Sequence, residues 1–161
     1  ADKEVSNLYK KNKKIFYKLK KVLPKYFKKF PIEKHDISRA ILDKDLNLKK
    51  IVRIVHFEIR KKMKIFLKKN KNRKFIILDI PLLLENKINK KNDILIFVHS
   101  KKHEVLRRLK KRKNFSEKLF RKFSNIQLSL DYKKKKSQFM IKNDFTKKTV
   151  SKYVKNILKR I

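Results

Sequence analysis

The stretch Lys74-Phe75-Ile76-Ile77-Leu78-Asp79-Ile80-Pro81-Leu82-Leu83-Leu84-Glu85 decides how the rest of this chain is read. Its apolar part is too short, and too rich in β-branched and aromatic side chains, for a helix, and Pro81 removes a ladder donor. A buried strand is therefore predicted over 75–80, stopping at a polar edge. A second apolar run, Asp93-Ile94-Leu95-Ile96-Phe97-Val98, follows a polar break and predicts another strand over 93–98. Apolarity in both runs is continuous rather than alternating, as in parallel strands covered by helices on two faces. Ligands of such sheets bind beyond the carboxyl ends of the strands, where Asp79 and Pro81 fall.

Working outward, residues 3–30 carry apolar positions at helical spacing, among them Ile15, Leu19 and Val22, with breaks at Pro24 and Pro31. Two or three short helices are expected there. Asp36 and Ser38 are candidate caps for a short helix through Arg39, Ile41 and Leu42. The longest helix is predicted from Asn47 to Lys69, with Ile51, Val55, Ile59, Met63 and Phe66 on one face. Beyond the second strand, Ser100 and Ser116 are candidate caps for helices through Val105, Leu106 and Leu109 and through Leu119, Phe120 and Phe123. Between them Lys110 to Asn114 reads as a basic loop. A third run, Phe139-Met140-Ile141, ends at Asn143-Asp144, and a last helix is expected from Thr146 to Arg160. Alternation of strand and helix from residue 75 onward is the pattern of an α/β layered fold.

A length of 161 residues suits one domain, or one domain with a small insertion. No cysteine is present, which excludes disulfides and thiolate metal sites, and no apolar stretch approaches a membrane span. These features predict a soluble, cytoplasmic protein with no membrane partner. The net charge of +37 points first to nucleic acid, but 42 of the 51 basic residues are lysine and nine are arginine. Planar recognition of phosphates and bases leans on the arginine fork, and the lysines are spread over every predicted element. Abundant Lys, Asn, Ile and Phe beside scarce Ala and Pro match what an AT-rich genome encodes, so codon bias is the expected source of most of the charge. Glycine is absent where average usage predicts roughly eleven, so no glycine-rich phosphate loop lies in these residues. Asn70, Asn72, Asn92 and Asn114 are the expected turn formers in its place.

Several blocks, taken in order and spacing, resemble the dephospho-coenzyme A kinase family across essentially the whole chain. They are Ala1-Asp2-Lys3-Glu4-Val5, Ser38-Arg39-Ala40-Ile41-Leu42, Val55-His56, the Asp79 to Glu85 block, Leu106-Arg107-Arg108-Leu109-Lys110-Lys111-Arg112, Gln127, Lys133 and Ile141-Lys142-Asn143. The proline-leucine-leucine-x-glutamate block, followed by the paired arginines, is the most specific part. The resemblance implies a three-layer P-loop kinase fold with a parallel sheet and a helical substrate-binding insertion. It implies ATP- and Mg2+-dependent phosphorylation of the ribose 3′-hydroxyl of dephospho-coenzyme A, the last step of coenzyme A synthesis. Residues 1–12 and 70–161 would form the kinase core, 13–69 the helical coenzyme A-binding region and 106–124 the lid.

Family members begin with a strand and a glycine-rich phosphate loop and then reach an aspartate-alanine-aspartate motif. This chain opens at the alanine of that motif, so the first strand and the P-loop are expected to be missing, with Ala1 a truncation point. ATP and Mg2+ would be held chiefly by that missing segment, leaving the fragment inactive and poorly stable alone. Asp2 matches the second aspartate of the motif, which the family places by the acceptor hydroxyl, where it could accept the proton; read alone, it is a helix N-terminal acid. Arg108 and Arg112, one helical turn apart, would offer forks to ATP phosphates, and Asn143 would lie by the adenine. Pro81, Leu82 and Leu83 would line the acceptor cleft, Glu85 would cap the segment after it, and Arg39 and His56 would cover dephospho-coenzyme A. Phe57 follows His56 where the family usually has proline. His35, His99 and His103 lack metal-ligand spacing, and no zinc is expected. The alternative is a lysine-rich nucleic-acid binder, although nucleic acid is not the expected partner; another P-loop nucleotide kinase should differ at the proline-leucine-leucine block.

Overall fold

Residues 2–113 and 115–161 are described in the computed structural model, so the expected truncation at Ala1 and turn at Asn114 lie outside the described residues. The chain divides into two units, Ala1–Pro81 and Leu82–Ile161.

Four helices build the first unit. α1 (Asp2–Lys11) and α2 (Lys13–Val22) are separated only by Asn12. That asparagine ends one helix by starting the next: its Oδ1 accepts the Ile15 N–H at 3.1 Å. Ile15, Phe16 and Leu19 form one stripe of α2, and all three are buried. α2 stops at Leu23 because Pro24 can neither donate to the ladder nor fit beside the preceding turn. The loop beyond buries Tyr26, Phe27 and Ile32 and is tied back to α1 by the Ile32 N–H, which donates to the Tyr9 carbonyl at 3.1 Å.

α3 (Lys34–Asp43) and α4 (Asp45–Lys69) complete this unit. Neither Asp36 nor Ser38 caps α3. Glu33 is the N-cap, and Asp36 sits in the first turn, where its charge complements the helix dipole. α4 is the long helix expected, but its apolar face is buried only in its first half, at Leu48, Ile51 and Val55; Phe66 is largely exposed. Asn47 is buried between the two helices, and its Nδ2 donates to the Ala40 carbonyl at 2.9 Å. α4 packs against α1, α2 and α3.

The second unit holds a parallel strand pair. β1 (Ile96–His99) and β2 (Phe139–Lys142) pair in register Ile96↔Phe139 and Val98↔Ile141. A parallel pair needs a long crossover, here α5 (Lys102–Lys110), α6 (Glu117–Asn125) and α7 (Leu130–Lys136). α8 (Lys147–Leu158) follows β2 and packs on it, burying Ile141 and Ile157. Ser116 caps α6 as expected, its Oγ accepting the Leu119 N–H at 3.4 Å. Ser100 does not cap α5, which starts one residue later from Lys101 without a side-chain bond.

Two further expectations are corrected. Residues 75–80 form no strand; they lack a ladder partner among the described residues, and Ile77 is 89% exposed. The second strand is shorter than expected and shifted to 96–99, with Ile96 and Val98 about half exposed rather than covered on both faces. Asn70, Asn72 and Asn92 lie in turns as expected, Asn70 ending α4 with φ −108, while the left-handed backbone found among the described residues falls at Leu82 (φ 54), Lys87 (φ 49) and Phe145 (φ 65).

Phe27 is fully enclosed, whereas Leu46, in the first turn of α4, is 57% exposed. Phe27→Ala is expected to lower the unfolding free energy of this unit by about 3–5 kcal/mol, and Leu46→Ala by less than about 0.5 kcal/mol. Urea titration followed by circular dichroism measures both.

Candidate active site

At the carboxyl end of the strand pair, the Asn143 N–H donates to the His99 carbonyl at 2.7 Å, extending the ladder one step beyond β2. The Asn143 Oδ1 accepts the Phe145 N–H at 2.8 Å. Asp144 accepts three bonds: from the Thr146 N–H at 2.9 Å, the Thr146 hydroxyl at 2.8 Å and the Thr149 hydroxyl at 2.7 Å. The Thr149 hydroxyl, then the Thr146 amide and hydroxyl, hold the Asp144 carboxyl below its ordinary value. Together these bonds over-determine the turn and keep Phe145 in a conformation that costs a non-glycine residue roughly 1–2 kcal/mol. The Arg108 guanidinium lies over the Phe145 ring, 4.0 Å from its centroid. Arg108 and Asn143, nominated for nucleotide binding from separate parts of the sequence, thus meet at one phenylalanine. Sequence reasoning missed Phe145 because a lone aromatic after a strand carries no periodic signal; an apolar residue within the otherwise polar Asn143–Lys147 turn was the available clue.

Arg112 lies beyond the helix that carries Arg108. α5 ends at Lys110, and Arg112 lies exposed in the turn beyond it, its N–H donating to the Leu109 carbonyl at 3.0 Å. Five basic residues in the six positions from Arg107 disfavour a further helical turn through mutual repulsion.

The segment after Pro81 forms a turn from Leu82 to Lys87 with left-handed residues at both ends. Leu82 and Leu83 are half-buried, and Pro81 is exposed. The Leu82 carbonyl accepts both the Asn86 N–H at 3.0 Å and the Asn86 Nδ2 at 2.9 Å, while the Leu83 carbonyl accepts the Ile88 N–H at 3.1 Å. Glu85 does not cap the segment that follows it. Its carboxylate accepts the Leu128 N–H at 3.0 Å, 43 residues on, and pairs with Lys133 Nζ at 2.7 Å. Lys133 Nζ also donates to Gln127 Oε1 at 3.1 Å. The Glu85 and Lys133 side chains are only 10% and 18% exposed, so Lys133 is not simply part of a solvated helix end. A cleft of about 490 Å³ opens beside Glu85, lined also by Leu84, Leu128, Tyr132 and Gln138.

In the first unit, Asp2 lies exposed in the first turn of α1. Arg39, on α3, is half-exposed; it lies 3.6 Å from Asp36 and 6.0 Å from the Tyr26 ring centroid. The Tyr26 hydroxyl donates to Asp43, and that bond, followed by the one from Lys25, holds the Asp43 carboxyl below its ordinary value. His56 is half-buried on α4; burial first, then the Arg60 charge, holds its imidazole below the ordinary 6.5. No hydrogen bond or ion pair joins Asp2, Arg39 and His56 among the described residues. Nor do those residues contain a group of three His, Asp or Glu side chains able to hold a metal ion.

A parallel strand pair with helical crossovers, and with arginine and asparagine at its carboxyl end, fits the class of P-loop kinases. The family model of dephospho-CoA kinase matches residues 1–149. The dephospho-CoA kinases of Wolbachia pipientis wMel and of Wolbachia sp. subsp. Brugia malayi (strain TRS) are each 34% identical over 160 residues, covering 98% of this chain and 82% of theirs. That of Rickettsia bellii (strain RML369-C) is 30% identical over 158 residues, covering 98% of this chain and 81% of its own. The chain belongs to the dephospho-CoA kinase family. No helix among the described residues is long and apolar enough to cross a membrane.

Burial pushes the Glu85 carboxyl up, but the Lys133 bond, backbone amides including that of Leu128, and the Lys133 charge outweigh it and hold the group below its ordinary 4.5. The stability this contributes is complete above the ordinary value and is lost as pH falls through the lowered one. Lys133→Met should therefore destabilise the protein by about 2 kcal/mol at pH 7. The gap from the unsubstituted protein should close once the medium is acid enough to protonate Glu85 in both, as measured by denaturant titration across the pH range.

Proposed function

We propose that these residues form the acceptor-holding and lid parts of the kinase, and that Asp2 is the base for the acceptor hydroxyl. The reaction is that of the family: ATP phosphorylates the ribose 3′-hydroxyl of dephospho-coenzyme A, the final step of coenzyme A synthesis. In the step proposed, the Asp2 carboxylate takes the 3′-hydroxyl proton as that oxygen bonds to the γ-phosphorus. The bond from that phosphorus to the bridging oxygen breaks, and ADP leaves. Arg108 and Arg112 steady the phosphates, and Asn143 borders the adenine. Pro81, Leu82 and Leu83 line the acceptor cleft, and Arg39 and His56 cover dephospho-coenzyme A from the helical region 13–69. A half-buried imidazole held neutral at pH 7 suits the uncharged parts of that ligand better than its phosphates.

The observation carrying this reading is the family match over residues 1–149, joined to the meeting of Arg108 and Asn143 at Phe145 beyond the strand ends. Because the sequence contains no glycine, we place the backbone cradle for the β and γ phosphates outside these residues, and the helices 106–124 as a lid over it. On the lysine-rich alternative, the chain would instead bind RNA with an affinity that falls steeply with salt.

In the full-length protein, Asp2→Asn is expected to lower kcat by about 10²-fold or more while leaving the KM for ATP unchanged. Arg39→Ala should raise the KM for dephospho-coenzyme A and leave kcat near its original value. Initial rates of ADP formation measure both, and full activity in Asp2→Asn would remove the base assignment.

A further inference from the structure

The acceptor turn is held in place by a part of the chain that has no role in the reading above. Leu82 and Lys87 both adopt left-handed backbone, which leucine and lysine avoid unless their surroundings fix it. Hydrogen bonds inside the turn, from Asn86 and Ile88 to Leu82 and Leu83, close it locally but do not attach it to anything else. The attachment is Glu85. Its carboxylate is gripped at 2.7 Å by the Lys133 ammonium of α7 and at 3.0 Å by the Leu128 amide, which precedes that helix. Gln127 Oε1 accepts a second bond from the same ammonium at 3.1 Å, fixing Lys133 between two oxygens. Both charged side chains are largely withdrawn from water, so the pair is poorly screened and geometrically restrictive, unlike the exposed pairs elsewhere on this surface.

We propose that Glu85 and Lys133 are positioning residues for the acceptor: the pair, with the Leu128 amide, is a strut that locks the Leu82–Lys87 turn and so presents Leu82 and Leu83 to dephospho-coenzyme A. Its catalytic consequence rests on the proposed placement of the acceptor against those leucines; the strut itself rests on the contacts above. Arg108 and Phe145 belong to a separate cluster, so the strut acts on the acceptor and not on ATP.

Lys133→Met in the full-length kinase tests this, with Lys136→Met, an exposed neighbour on the same helix, as the control. The KM for dephospho-coenzyme A should rise about tenfold, while kcat and the KM for ATP stay within about twofold, a split that a general loss of stability would not produce. Hydrogen exchange at the amides of Asn86, Lys87 and Ile88 should accelerate in Lys133→Met and not in Lys136→Met. Unchanged exchange overturns the strut. Faster exchange with an unaltered KM overturns the acceptor placement on which its consequence rests, and equal rises in both KM values overturn the positioning role. Where Lys133→Met fails to fold, Glu85→Gln carries the same test, since it keeps an acceptor for the Leu128 amide and leaves no unpaired carboxylate.

Discussion

Parallel pairing of Ile96–His99 with Phe139–Lys142 is the constraint on which the rest of the second unit depends. Because both strands run the same way, their carboxyl ends share one edge, and whatever follows each strand emerges there. The first strand is followed by α5 with Arg108, the second by the Asn143–Thr146 turn with Phe145. The ring and the guanidinium meet because the register brings Lys142 opposite His99 and lets the Asn143 amide reach the His99 carbonyl. Shifting β2 by one residue would send Ile141 from beneath α8 to the opposite face and part these two groups together.

Helices were legible in this sequence where apolar residues repeat at helical spacing. α2, α4, α6 and α8 lie close to where periodicity predicts them, and Ser116 and Thr146 cap as their chemistry suggests. The apolar run at 75–80 misled for a definite reason: composition marks a segment as fit for a sheet, but a strand exists only through hydrogen bonds to a neighbour. The asparagines marked turns at 70, 72 and 92, but the left-handed backbone at Leu82, Lys87 and Phe145 carried no sequence signal, since it occurs where tertiary and turn hydrogen bonds close the loop. Of the site, Glu85, Gln127 and Lys133 were visible as separate letters of a family pattern. That one carboxylate and one amide oxygen share one ammonium required tertiary information, since Glu85 lies more than forty residues before Gln127 and Lys133.

The charge of the chain is managed more by solvent and aromatic faces than by pairing. With 14 acidic groups for 51 basic ones, most lysines cannot have a carboxylate of their own. Several lie over rings instead, Lys61 over Phe57 at 4.7 Å and Lys74 over Phe75 at 5.4 Å, spreading their methylene stems along apolar surface while the ammonium stays wet. The exposed ion pairs, such as Lys18 with Glu58, add little, about 0–1 kcal/mol each. Against that background a pair as enclosed as Glu85 with Lys133 stands apart.

The bend at Leu82 also restricts how this gene can drift. Isoleucine is abundant in this chain, and leucine-to-isoleucine exchange is a single-base step. At φ 54 a side chain branched at Cβ collides with its own backbone, so this one leucine is closed to the substitution that its neighbours in the helices can absorb.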